Sequence, residues 1–240
     1  MKSRSQFLFS LCLSLFLVSA AFTGKEKVRP ELYFHDGNTI TFQITYISGA
    51  TRKAVNTIES VSVVNGTTTI TAISNLHDDK DKFVVAYKLR YFCDSLNWCV
   101  DPLNDMYITL DQPKTGDGKY ESESDSLVYP FSMKIGDTLN TAWLKTSAFS
   151  EGMSTENKAF YYRRKVVAFE TLTLLGTSIP AFKITYKISK STTTSYGQLG
   201  GSTTTQDLNA TEWFSHEYGV IKMEQDPKYG IGKMVVVAVK

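Results

Sequence analysis

An all-β protein with little or no helix is what this 240-residue sequence predicts. Three observations carry that expectation. Apolar and polar residues alternate at period two in several stretches. Threonine comes in clusters (Thr67-Thr68-Thr69, Thr192-Thr193-Thr194, Thr203-Thr204-Thr205) beside 13 Tyr and 14 Phe. No stretch sustains the 3.6-residue period of an amphipathic helix. Branching at Cβ and aromatic bulk suit a pleated, half-buried surface and cost χ1 freedom in a helix. One apolar face per strand is the habit of antiparallel sheets. The predicted architecture is therefore a curved antiparallel sheet or a barrel, open or closed.

Residues 1–20 read as a secretory signal peptide, removed from the mature chain. Met1-Lys2-Ser3-Arg4 is a short basic start, Phe7 to Phe22 is apolar apart from small residues, and Val18-Ser19-Ala20 fits a cleavage site. Cys12 does not read as a lipid-attachment cysteine, because Leu11 precedes it and it lies inside the apolar run. Cleavage removes Lys2, Arg4 and Cys12, so the net charge of +2 falls to zero and two of the three cysteines remain. A neutral chain is no basic nucleic-acid binder, and no later apolar run has the roughly 20 residues of a spanning helix. Residues 21–240 are expected to form a single β-rich domain that is periplasmic or extracellular.

Along the chain, Ile40, Phe42, Ile44 and Tyr46 share one face of Thr39–Tyr46. Asn65-Gly66 separates Ile58–Val64 from Thr67–Ile73 and supplies the positive φ values of a type I′ hairpin turn. Phe83–Tyr91 and Phe182–Ser189 alternate as cleanly as the first strand. Weaker strands are expected at Met106–Asp111, Thr141–Phe149, Ala159–Glu170, Thr171–Leu175, Asp207–Phe214, Val220–Gln225 and Met234–Val239. Turn clusters fall at Asn75–Lys82, Gln112–Gly118, Gly197–Ser202 and Asp226–Gly232. The one helical option is a short helix near Ser150–Phe160, capped by Ser154 or Asn157.

Cys93 and Cys99, with five residues between them, are the mature thiols. In an exported protein they are expected to form a structural disulfide, worth about 2–2.5 kcal/mol for so short a loop. His77-Asp78-Asp79-Lys80-Asp81 has Lys80 among its acids and lacks the ladder of a calcium loop, so it reads as a solvated turn. No pair of histidines among His35, His77 and His216 has zinc spacing. No cofactor is implied. Ser215-His216-Glu217 holds triad residue types in succession, but strand neighbours point to opposite faces. Glu212 and Glu217 are a carboxylate pair of the kind glycosidases use, and surface charge is the simpler account of them. Gly230-Ile231-Gly232-Lys233 lacks the remaining residues of a phosphate loop. Asn65-Gly66-Thr67 and Asn209-Ala210-Thr211 match the glycosylation sequon.

Three stretches carry a family resemblance. Glu170 to Ile184, containing Gly176, Pro180, Phe182 and Lys183, is similar to one conserved-looking segment of the TapB-like group. Glu212-Trp213-Phe214-Ser215-His216-Glu217-Tyr218-Gly219-Val220-Ile221-Lys222 resembles its W-[FY]-S-x-x-x-G-[VL]-[VI]-K hallmark. Tyr129-Pro130-Phe131 through Gly136-Asp137 resembles its Y-P…G-D turn. The group consists of exported bacterial proteins of unknown function. The resemblance implies a curved antiparallel sheet at the cell envelope and transfers no catalytic residue.

Trp213 and Tyr218 bracket a connection that Gly219 lets turn sharply, which reads first as a core corner. Trp213, Phe214 and Tyr218 are also the candidate ligand-facing aromatics. The function expected is a non-enzymatic envelope protein that binds or scaffolds a partner, or takes an apolar or carbohydrate ligand. The alternatives are a secreted hydrolase using Glu212, Glu217 or His216, and a carrier of lipid-like ligands.

Overall fold

A computed structural model describes residues 34–101, 119–150, 152–226 and 231–240. The leader, the strand expected at Met106–Asp111 and the turn at 112–118 lie outside these. Among the described residues thirteen strands form one antiparallel sheet: β1 (Thr39–Tyr46), β2 (Thr51–Val64), β3 (Thr67–His77), β4 (Phe83–Cys93), β5 (Asn97–Val100), β6 (Lys119–Ser124), β7 (Leu127–Pro130), β8 (Ala142–Ser150), β9 (Met153–Leu174), β10 (Thr177–Ser195), β11 (Gly201–Ser215), β12 (Gly219–Gln225) and β13 (Ile231–Val239). The order across the sheet is β6-β8-β9-β10-β11-β12-β13-β1-β2-β3-β4-β5-β7. Among the described residues no helix is long and apolar enough to cross a membrane.

Connectivity forces the sheet to curl. β6 and β7 are its two outermost strands, yet only Asp125 and Ser126 separate them in the chain. Twelve inter-strand gaps laid flat would hold them about 60 Å apart. A two-residue link reaches no more than about 11 Å. The result is a curled half-barrel whose inner face carries the alternating apolar residues. Ile40, Phe42 and Ile44 of β1, Ala54 and Ile58 of β2, and Ile184 and Ile188 of β10 are all buried there.

The β2–β3 turn is the expected one, with Asn65 at φ 51° and Gly66 at φ 79°. Leu175 and Gly176 repeat that left-handed pair between β9 and β10. Two expectations are corrected. The strands foreseen at Ala159–Glu170 and Thr171–Leu175 are one strand, β9. The helix near Ser150–Phe160 does not form; Ser154 is paired with Phe149 on one side and Ser195 on the other, so its backbone belongs to the sheet.

The disulfide is also corrected: no bond joins Cys93 to Cys99. The reason is register. Cys93 lies opposite Trp98, and Cys99 lies opposite Phe92. Directly opposed residues share a face and successive residues alternate, so the two Cβ vectors diverge. Asp94 holds the loop instead. Its Oδ1 accepts the amides of Leu96 and Asn97, each at 2.7 Å.

Candidate functional site

The polar centre of the interior is built where β9 breaks its own pattern. Arg163 and Arg164 together oppose the single residue Tyr186, between the pairs Lys187–Tyr162 and Thr185–Lys165. Arg163 takes a left-handed φ of 55°. Such a bulge shifts the alternation by one residue and re-aims the next side chain. Tyr161 points inward, Arg163 outward, and Arg164 inward again. A cationic residue is thus delivered to a face where alternation alone would not place it.

Arg164 meets Glu212 of β11 with Nη2 to Oε1 at 3.4 Å, and each residue is 1% exposed. The Tyr129 hydroxyl donates to the same Oε1 at 3.0 Å. The Tyr129 ring lies 4.7 Å from the guanidinium carbon and stacks on Phe214 at 4.3 Å, with 6° between the planes. Burial pushes the Glu212 carboxyl above its ordinary range, against the opposing pull of Arg164, Tyr129 and Tyr186. Burial also works against the Arg164 charge, but Tyr129, Glu212 and Tyr186 outweigh it and hold the guanidinium above its ordinary value.

The same arginine closes an edge of the sheet. At β7, the groups turned away from β5 are the carbonyl of Ser126 and the amide and carbonyl of Val128. Asn140 Nδ2 donates to Ser126 O at 2.8 Å, Asn140 Oδ1 accepts from Val128 N at 2.9 Å, and Arg164 Nη1 donates to Val128 O at 3.3 Å. Arg164 Nη1 also holds Asn140 Oδ1 at 2.8 Å. Pro130, next on that edge, has no amide to offer. Two side chains therefore stand in for a neighbouring strand and block the edge against further pairing.

The Gly136–Leu139 turn performs the matching task for β9. Gly136 N donates to Val166 O, Val166 N to Asp137 O and Leu139 N to Arg164 O, at 2.8–2.9 Å. The three stretches that carried the resemblance thus converge. Tyr129 and Asp137 come from one and Glu212 from another, while Glu170 of the third meets Trp213 on the opposite face.

On that outer face, the Trp213 indole crosses β10 to donate its N–H to Glu170 of β9. Lys222 Nζ sits 3.9 Å from the ring centroid and Lys183 Nζ 5.2 Å. Trp213 is 4% exposed and Phe214 is fully buried under Tyr129, while Tyr218 is half-buried. Gly219, at φ 71°, faces the Trp98 ring.

His216 does not join Glu212. Its ring lies 5.4–5.8 Å from those of Phe131, Phe182 and Phe214, and burial lowers its pKa. Glu217 is exposed, and its amide donates to Ser215 Oγ at 3.3 Å. The His77–Asp81 turn is committed to its own structure: Asp78 Oδ1 accepts the amides of Lys80 and Lys82, and Asp81 pairs with Lys53 at 2.5 Å. Asp78, Asp79, Asp81 and Lys53 line a surface depression of about 240 Å³ with Arg52 and Val237. Arg164 was missed in the sequence; its one signal is the basic run Arg163-Arg164-Lys165 inside a strand whose alternation slips.

No curated protein matches the chain. Its fold is similar to that of a Bacteroides fragilis protein described as exported and YmcC-like, at TM-score 0.66 and 15% identity over 87% of this chain and 99% of that one. It is equally similar to a protein from Parabacteroides distasonis described as a lipoprotein, at TM-score 0.66 and 13% identity over 87% and 97%. A family model described as DUF3108-like matches residues 36–234, a span that holds all three converging stretches, and the chain belongs to the DUF3108-like family.

Proposed function

We propose that the protein is exported, is held at the bacterial cell envelope, and acts by binding or scaffolding rather than by catalysis. The leader-like residues 1–20 support export. The exported and lipoprotein descriptions of the two similar structures point the same way. One observation carries the non-enzymatic reading: Glu212 is sealed by Arg164 and Tyr129 at 1% exposure, while His216 and Glu217 lie elsewhere. A general acid or base must come within hydrogen-bond reach of its substrate. Burial of Trp213 and Phe214 supports structural roles for both, which leaves Tyr218 as the hallmark aromatic with surface to offer a ligand. On this reading the TapB-like hallmark is a structural corner, and residues 21–240 fold as one unit.

The test is fractionation of the source organism followed by intact-mass analysis and activity assays. The expected result is an envelope-fraction protein beginning at Ala21, with no glycosidase or esterase turnover. A cytoplasmic protein retaining Met1 would remove the export reading. Turnover abolished by Glu217→Gln or His216→Gln would restore the hydrolase.

A further inference from the structure

Two adjacent hairpin ends carry a feature that neither the sealed pair nor the tryptophan corner uses. The β8–β9 and β10–β11 turns lie side by side: Ser154 pairs with Ser195, Ser195 with Gly201, and a Cβ at Gly197 would stand 3.8 Å from the Gly152 carbonyl. Together they expose Phe149, Met153, Tyr196 and Leu199. Leu199 is 91% exposed, more than any other large apolar side chain of the described residues. It is presented by the 3₁₀ turn Gly197–Leu199, which is closed by Tyr196 N to Gly200 O at 2.9 Å.

The surroundings narrow the occupant. Residues 191–206 contain no charged residue. The nearest charges along that hairpin are Lys190 and Asp207, each about 20 Å from the turn at strand rise. On the neighbouring arm, Lys145 and Lys158 are both paired with Glu156, at 3.2 and 2.7 Å. By sequence the two turns hold one acid, Glu151, and by register Lys119 of β6 lies opposite Phe149, so the turns carry no net charge of one sign to draw them to an anionic surface. A protein partner would want a flat or concave patch whose rim carries matching charge. Projecting turns, with an amphipathic tyrosine beside a fully presented leucine and hydroxyl-rich flanks, suit a fluid interface instead.

We infer that the paired hairpin turns insert Tyr196, Leu199, Phe149 and Met153 into the interfacial layer of a lipid bilayer, by apolar burial and not by charge. The strands above remain in water, since their ladder is already satisfied and their faces carry hydroxyls.

Flotation of the purified mature chain with phosphatidylcholine vesicles tests this. The expected result is co-flotation that is unchanged between about 0.1 M and about 1 M salt. Tyr196→Ser/Leu199→Ser should lower partitioning roughly ten- to hundredfold. Phe83→Ser, which alters an exposed phenylalanine outside these turns, should leave it unchanged. Both substitutions change exposed side chains, and an unaltered urea midpoint confirms folding. The inference is overturned by failure to float, by binding only to anionic vesicles and lost in salt, by an unaffected double variant, or by a discrete oligomer that the double variant abolishes. Export and insertion fail separately: an exported protein that does not float loses only the insertion, and a floating protein that retains Met1 loses only the export.

Discussion

Arg164 and Glu212, 48 positions apart in the chain, meet in the interior at 3.4 Å with both side chains shut off from water. Two of the same guanidinium's bonds seal the β7 edge, so the pair joins the outermost strand to the middle of the sheet.

Arg164→Met is expected to cost about 3–5 kcal/mol near pH 8, because it leaves a buried carboxyl without its cation and β7 without its cap. Burial already raises the Glu212 pKa, and removing the arginine raises it further. A raised carboxyl favours the fold below its unfolded value, and that contribution is lost as pH climbs through the folded one. The deficit should therefore shrink near pH 5. Urea unfolding at both pH values measures it, and a deficit that grows on acidification would refute the arrangement.

His216 has the opposite sign. Burial among three phenylalanines lowers its pKa from the ordinary 6.5, so the fold prefers the neutral ring. Its contribution is complete above about pH 6.5 and falls away as pH drops through the lowered folded value. His216→Phe should flatten the stability profile in that window. An unchanged slope in the variant would show that the acid sensitivity has another source.

The two thiols should react separately. Intact mass is expected to be the same before and after reduction. Cys99, half-buried and pushed up by burial and then by Asp94, should alkylate slowly at neutral pH and faster in base. Cys93, 6% exposed, should react only on unfolding. A species two mass units lighter that is restored by reductant would contradict the register of β4 and β5.

Asp94→Ala removes two charge-assisted bonds from the loop between those strands and should cost about 1–3 kcal/mol. Asp94→Asn, which keeps an acceptor oxygen, should cost less. The Leu96 amide, followed by that of Asn97, holds the carboxyl below its ordinary value, so the loop's anchor weakens only as pH falls toward that lowered value. Equal losses in both variants would show that the acceptor is not what matters.

The strands that the sequence made legible are those whose alternation runs uninterrupted. Ile40 to Tyr46 and Phe182 to Ile188 obey period two, and Asn65-Gly66 has only one economical conformation. β9 was cut in two at Glu170, although Glu170–Ala181 and Thr171–Pro180 pair in unbroken register there; its two slips, beside Arg163 and at Val167, lie within the first of the foreseen strands. The disulfide failed because spacing records distance along the chain and not the face to which a side chain turns. Arg164 was invisible for a related reason. A cation in a strand reads as solvent-facing unless the bulge and its distant partner are both known. The short strands β5 and β7, four residues each, hold too few alternations to register.

The Asp125–Ser126 link has a consequence for assembly. Its two residues keep β6 and β7 within about 11 Å from the outset, so the twelve pairings of the finished sheet must together bend to accommodate it. Every hairpin in the sheet can form by itself, whereas the curvature depends on all of them at once. Cutting the chain at this link and joining its ends elsewhere would keep every ladder bond while releasing the constraint. The radius of the half-barrel is in that sense a property of the threading of the strands, not of any single strand pair.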